Sequence, residues 1–80
     1  MTPEQKAHWD KLEARIDELK GSIDLLNKKH VVEKTMEEIN TGTRLYVKML
    51  ELGLAQRLLE GTITQEAFEE NVQYLRRVLL

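Results

Sequence analysis

His30, Glu33 and Glu37 are the residues whose types and spacing come nearest to a reaction centre. Steps of three and four along a helix put an imidazole and two carboxylates on one face, where they could meet a metal ion. Iron-carboxylate bundles use Glu-x-x-His on paired helices, whereas here the order is reversed and no second His-bearing motif exists. A solvated charged face is the simpler reading. Nucleophilic chemistry has less to work with. Ser22 is the only serine, and on one helix His8 and His30 would stand about 21 and 12 Å from it, beyond hydrogen-bond reach. With no cysteine there is neither a thiolate site nor a disulfide framework. No Gly-rich phosphate loop and no H-E-x-x-H occurs. Glu37-Glu38 and Glu69-Glu70 are adjacent pairs, which splay around a helix instead of converging. The expectation is a protein without catalytic residues, metal or cofactor.

Two further groups bear on binding. Gly61-Thr62-Ile63-Thr64 has the look of the second half of a calcium loop, but that alignment puts Gln56, Leu58 and Ala67 where oxygen ligands are required, so it fails. Basic residues gather at Lys28-Lys29-His30 with Lys34, and again at Arg76-Arg77. Lys28, Lys29, Lys34, Arg76 and Arg77 are therefore the candidate phosphate contacts. Glu33, Glu37 and Glu38 interrupt the first group, and the formal net charge is −2. Cations near helix C-termini also complement the helix dipole, which explains both clusters without a ligand.

The elements that must carry these residues are helical. Leu45 to Leu59 contains ten apolar residues in fifteen. On a helical wheel its apolar arc spans about 260°, with Lys48, Glu51 and Ala55 on the remaining strip and Gln56 and Arg57 interrupting only the last turn. A surface helix needs an arc of only about 100°, so this segment predicts a buried central helix covered on several sides. It is too short and too charged to span a membrane.

Upstream, Thr2-Pro3-Glu4-Gln5 carries a capping-box pattern with proline at the first helical position. Trp9, Leu12, Ile16, Leu19, Ile23 and Leu26 then follow 3-4-3-4-3 spacing, a heptad seam with Trp9, Ile16 and Ile23 at a and the leucines at d. A helix from about 3 to about 29 is predicted, with Gly21 at its outermost f position. Trp9, the sole tryptophan, suits a core or the end of a contact surface. Val32, Met36 and Ile39 mark a second helix from about 31 to 40. Asn40-Thr41-Gly42-Thr43 reads as a turn before the central helix of about 44 to 60, although one helix from about 31 to 60 with Gly42 inside it is the open alternative. Glu60-Gly61-Thr62 punctuates again, with φ > 0 expected at Gly61. Thr62 or Thr64 can cap a last helix of about 64 to 79, whose apolar face is Phe68, Val72, Leu75 and Leu79.

Leu54, Leu58, Gly61-x-Ile63-Thr64, Phe68 and Leu75 together resemble the short C-terminal domain (SHOCT) module over residues 54–80. That resemblance implies a bacterial or phage origin and a role in association or nucleic-acid contact. The chain departs from the pattern at Val72, where the module usually carries lysine.

Eighty residues, 41% hydrophobic and 32% charged, with one proline and four glycines, describe one small all-α domain, a three- or four-helix bundle. The N-terminal stretch is too charged for a signal peptide, so a cytoplasmic setting is expected. The functional expectation is a non-enzymatic interaction protein that self-associates, most simply as a homodimer, and binds another protein. The alternative is a small dimeric nucleic-acid-binding regulator. Association is expected on the Trp9–Leu26 seam, in antiparallel geometry: parallel pairing sets Arg15 against Lys20, whereas antiparallel pairing sets Glu13 against Lys20. Equally, the same spacing allows the seam to pack on the chain's own central helix.

Overall fold

The computed structural model describes residues 1–28 and 34–80, and every described element is an α-helix: α1 (Pro3–Asn27), α2 (Met36–Glu60) and α3 (Gln65–Leu79). Each begins at a threonine. The Thr2 hydroxyl accepts from the Gln5 amide at 3.1 Å, while the Thr2 amide donates to Gln5 Oε1 at 2.9 Å, closing the expected capping box. Thr35 and Glu38 form a second box at the head of α2, with the Glu38 amide donating to Thr35 Oγ1 at 3.1 Å. Thr64, not Thr62, caps α3 by accepting from the Ala67 amide at 3.1 Å.

The turn expected at residues 40–43 is not there. Those residues lie inside α2, so the predicted break between a helix of about 31–40 and one of about 44–60 is replaced by one helix. Thr43 donates its hydroxyl to the Ile39 carbonyl at 3.1 Å, bonding back one turn where a cap would have faced forward. A Cβ at Gly42 would make ordinary contact with Leu26 Cδ1 at 3.8 Å, so the glycine neither forces nor marks a bend. One helical glycine costs about 1 kcal/mol relative to alanine, less than a helix packed on two flanks recovers. Val32 lies outside the described residues, as do Lys29, His30 and Glu33.

The end of α2 is the expected one. Gly61 takes φ 77°, its amide donates to Leu58 O at 3.1 Å, and the Thr62 amide donates to Arg57 O at 3.0 Å. This pair of bonds is a Schellman motif.

The chain runs up, down and up, with α1 packed on one flank of α2, α3 packed on the other, and no packing between α1 and α3. The extents are 46 × 25 × 14 Å. A triangular bundle would have two similar cross-sections, so the near-twofold difference means three helices side by side. The radius of gyration, 14.6 Å, exceeds the roughly 11.6 Å of a compact 80-residue domain.

One layer encloses little. Among the described residues, Ile16, Leu19 and Val47 are the buried apolar ones, joined by the polar Gln56. The expectation of a buried central helix is thereby corrected. Most apolar side chains of α2 are only half-buried, because flanking helices cover two sides of a segment that is apolar on three. Among the described residues no helix is long and apolar enough to cross a membrane.

Candidate functional site

The α1 seam finds its partner within the chain. Trp9 Nε1 donates to Glu60 Oε1 at 2.9 Å, and Gln56 Nε2 donates to Glu13 Oε2 at 2.6 Å. Ile16 and Leu19 are buried, and Trp9, Leu12, Ile23 and Leu26 are half-buried. The expected antiparallel partner of Trp9, Leu12, Ile16, Leu19, Ile23 and Leu26 is thus α2 of the same chain, and Glu13 faces Gln56 where Lys20 of a second copy was expected. The seam packs on α2 within the chain, and Ile16 and Ile23 also reach the open face of the layer. Trp9 sits at its edge, with Lys6 Nζ 4.6 Å from the ring centroid and Lys6 also paired to Asp10 at 3.0 Å.

Of the candidate phosphate contacts, Lys28 and Lys34 stand together where α1 finishes and α2 starts, whereas Arg76 lies along the middle of α2 beside Glu51. Lys28 caps the C-terminus of α1, and Lys34 Nζ donates to Asn27 Oδ1 at 3.2 Å. Arg76 is engaged by Glu51, with Nε donating to Oε1 at 2.8 Å. That hydrogen bond, and then the charge of Glu51, raise the Arg76 guanidinium above its ordinary value. Arg77 is exposed, and Lys29 lies outside the described residues. Of the residues with potential chemistry, His8, Ser22 and Glu37 are solvent-exposed on helices, and His30 and Glu33 lie outside the described residues.

A site that the seam did not anticipate runs along one face of the layer. Between α1 and α3, over α2, lies a cleft of about 490 Å³ floored by Ile16, Met49, Leu50, Gly53, Leu54 and Leu75. Gly53 leaves its middle open, since nothing stands within 4 Å of where its Cβ would be. Lys20 and Met49 also line a second hollow, which adds Ile23 and Tyr46. Ile23 and Tyr46 pass in turn into a third, reaching Ile39 and Leu79. The three form one continuous groove. Both tyrosines of the chain line it, Tyr46 at 45% and Tyr74 at 58% exposure. Its rim alternates in sign, with acidic Glu13, Asp24 and Glu38 and basic Lys20, Lys34 and Arg57.

An apolar floor with tyrosines and a polar rim is suited to taking up another chain. Its signal in the sequence was the excess width of the apolar arc on Leu45–Leu59, which exceeds what two flanking helices cover. Compared with family models, with curated proteins and with solved structures, the chain matches none.

Proposed function

We propose that this protein is a non-enzymatic helical interaction protein that self-associates and binds another protein, as a regulator, inhibitor or assembly factor. The observation that carries the reading is the apolar groove across all three helices, with an uncharged floor and a rim of both signs. Helical partners are recognised by such grooves through apolar anchors spaced one turn apart. The resemblance of residues 54–80 to the SHOCT module agrees in direction, towards association and a bacterial or phage source, and the reading keeps the cytoplasmic setting expected from sequence. Light scattering across a concentration series, with affinity capture from the native cell, tests it. A chain that remains monomeric at tens of micromolar and captures no macromolecule refutes it.

One observation favours a second reading. Lys28 and Lys34 stand together where α1 finishes and α2 starts, as a small phosphate-binding surface would require. Against it, Arg76 is already paired and the chain is acidic. Salt-dependent retention of DNA or RNA that disappears in Lys28→Glu with Lys34→Glu would promote this reading above the first.

A further inference from the structure

We infer that the groove is where two copies of this chain meet, face to face, with α2 of each layer covering α2 of the other. The inference rests on the self-association proposed above and says which surface performs it. Three observations lead to a second copy as the occupant.

The first is area. The chain exposes 5958 Å², whereas a compact monomer of 9.4 kDa exposes about 5,000 Å². The surplus, roughly 950 Å², is close to the roughly 800 Å² that each partner contributes to a stable protein–protein interface. Two layers closed on each other restore the ratio of surface to mass that a single layer lacks.

The second is charge. Three acidic and three basic side chains alternate along the rim, and they sum to zero. A partner of one dominant charge finds no complement there. A second copy does, because a two-fold axis presents the same mixed rim to itself and lets each sign meet its opposite. The third is composition. Tyrosine is enriched at interface centres, and both tyrosines of the chain lie on this face.

Gly53 provides the test. A Cβ there meets no neighbouring side chain within 4 Å, and a glutamate replaces a poor helix former and stands four residues before Arg57 on the same helix. It therefore leaves the single layer intact while placing a charge in the middle of the groove. Light scattering and sedimentation would compare the unmodified chain, Gly53→Glu, and Lys48→Ala as a control outside the groove. The expected result is a dimer for the unmodified chain and the control, and a dimer weakened roughly tenfold or more in Gly53→Glu with helicity retained. If Gly53→Glu dimerises as the unmodified chain does, the groove is not the interface, although self-association stands. If Gly53→Glu loses its helicity, Tyr74→Glu decides, since that side chain is 58% exposed in one chain: an intact dimer overturns the inference and a dissociated one supports it. An unmodified chain that is monomeric overturns the inference together with self-association. Should that monomer capture an unrelated protein, with capture lost in Gly53→Glu, the groove belongs to that partner and a second copy is overturned as its occupant.

Discussion

Gly61 is the residue on which the α2–α3 connection turns, and its φ of 77° is one that side chains with a Cβ adopt reluctantly. Gly61→Val should lower stability by about 1–3 kcal/mol, readable as a fall in Tm of about 4–8 °C per kcal/mol. Melting curves that superimpose would show the left-handed cap to be dispensable. A second residue-scale dependence is the Glu13–Gln56 hydrogen bond, a polar link between α1 and α2 that involves a buried side chain. Removing the acceptor takes from the mostly buried Gln56 amide its partner within the chain, so Glu13→Ala should cost about 1 kcal/mol. Adding Gln56→Met to Glu13→Ala should return part of that loss, because both polar groups are then gone. A double-mutant cycle by urea denaturation checks it, and strictly additive losses would mean that the bond contributes nothing.

Among the elements, α2 is the one whose extent departs from expectation. If residues 40–43 are helical, Gly42→Ala relieves backbone entropy and adds a methyl at contact distance from Leu26, and stability should rise by about 0.5–1 kcal/mol. A turn requiring glycine would make the same change destabilising, so the sign of the Tm shift decides. What was legible in the sequence here is what depends on neighbours three or four residues away: the Thr2 box, the Gly61 stop, the Thr64 cap and the seam of α1. Thr35-Met36-Glu37-Glu38 has a capping-box pattern of the same kind, and α2 starts there and not after the Asn40–Thr43 run. Local breaker signals amount to about 1 kcal/mol and yield to packing along 25 residues. Heptad spacing, by contrast, is the same for a partner within the chain and one outside it, so Ile16 and Leu19 could not announce that α2 would cover them. The groove was legible only as a surplus. The arc on Leu45–Leu59 said that some apolar face would remain, and naming Leu50, Gly53 and Tyr46 on it required knowing that α1 and α3 take opposite flanks.

At the scale of the molecule, stability is distributed unevenly across the layer. The buried residues belong to α1 and α2, whereas α3 has none and is held by half-buried Phe68, Val72 and Leu75 with the Arg76–Glu51 ion pair. That pair is exposed on the Arg76 side, where salt screens it. An element with few buried contacts opens before the rest, so in dilute solution the amides of α3 should exchange faster than those around Ile16, Leu19 and Val47. Covering the groove changes that order. Leu75 and Tyr74 of α3 lie along it, and a second layer seated there holds α3 in place as well as shielding α2. Protection of α3 should therefore rise steeply with protein concentration, while protection at the α1–α2 contact rises only as far as global stability is linked to dimerisation. Hydrogen exchange followed by mass spectrometry, run over a wide concentration range, reads both at once. Protection of α3 that equals that of α1 in dilute protein, and stays constant as concentration rises, would mean that the single layer is sufficient by itself and that nothing needs to cover its open face.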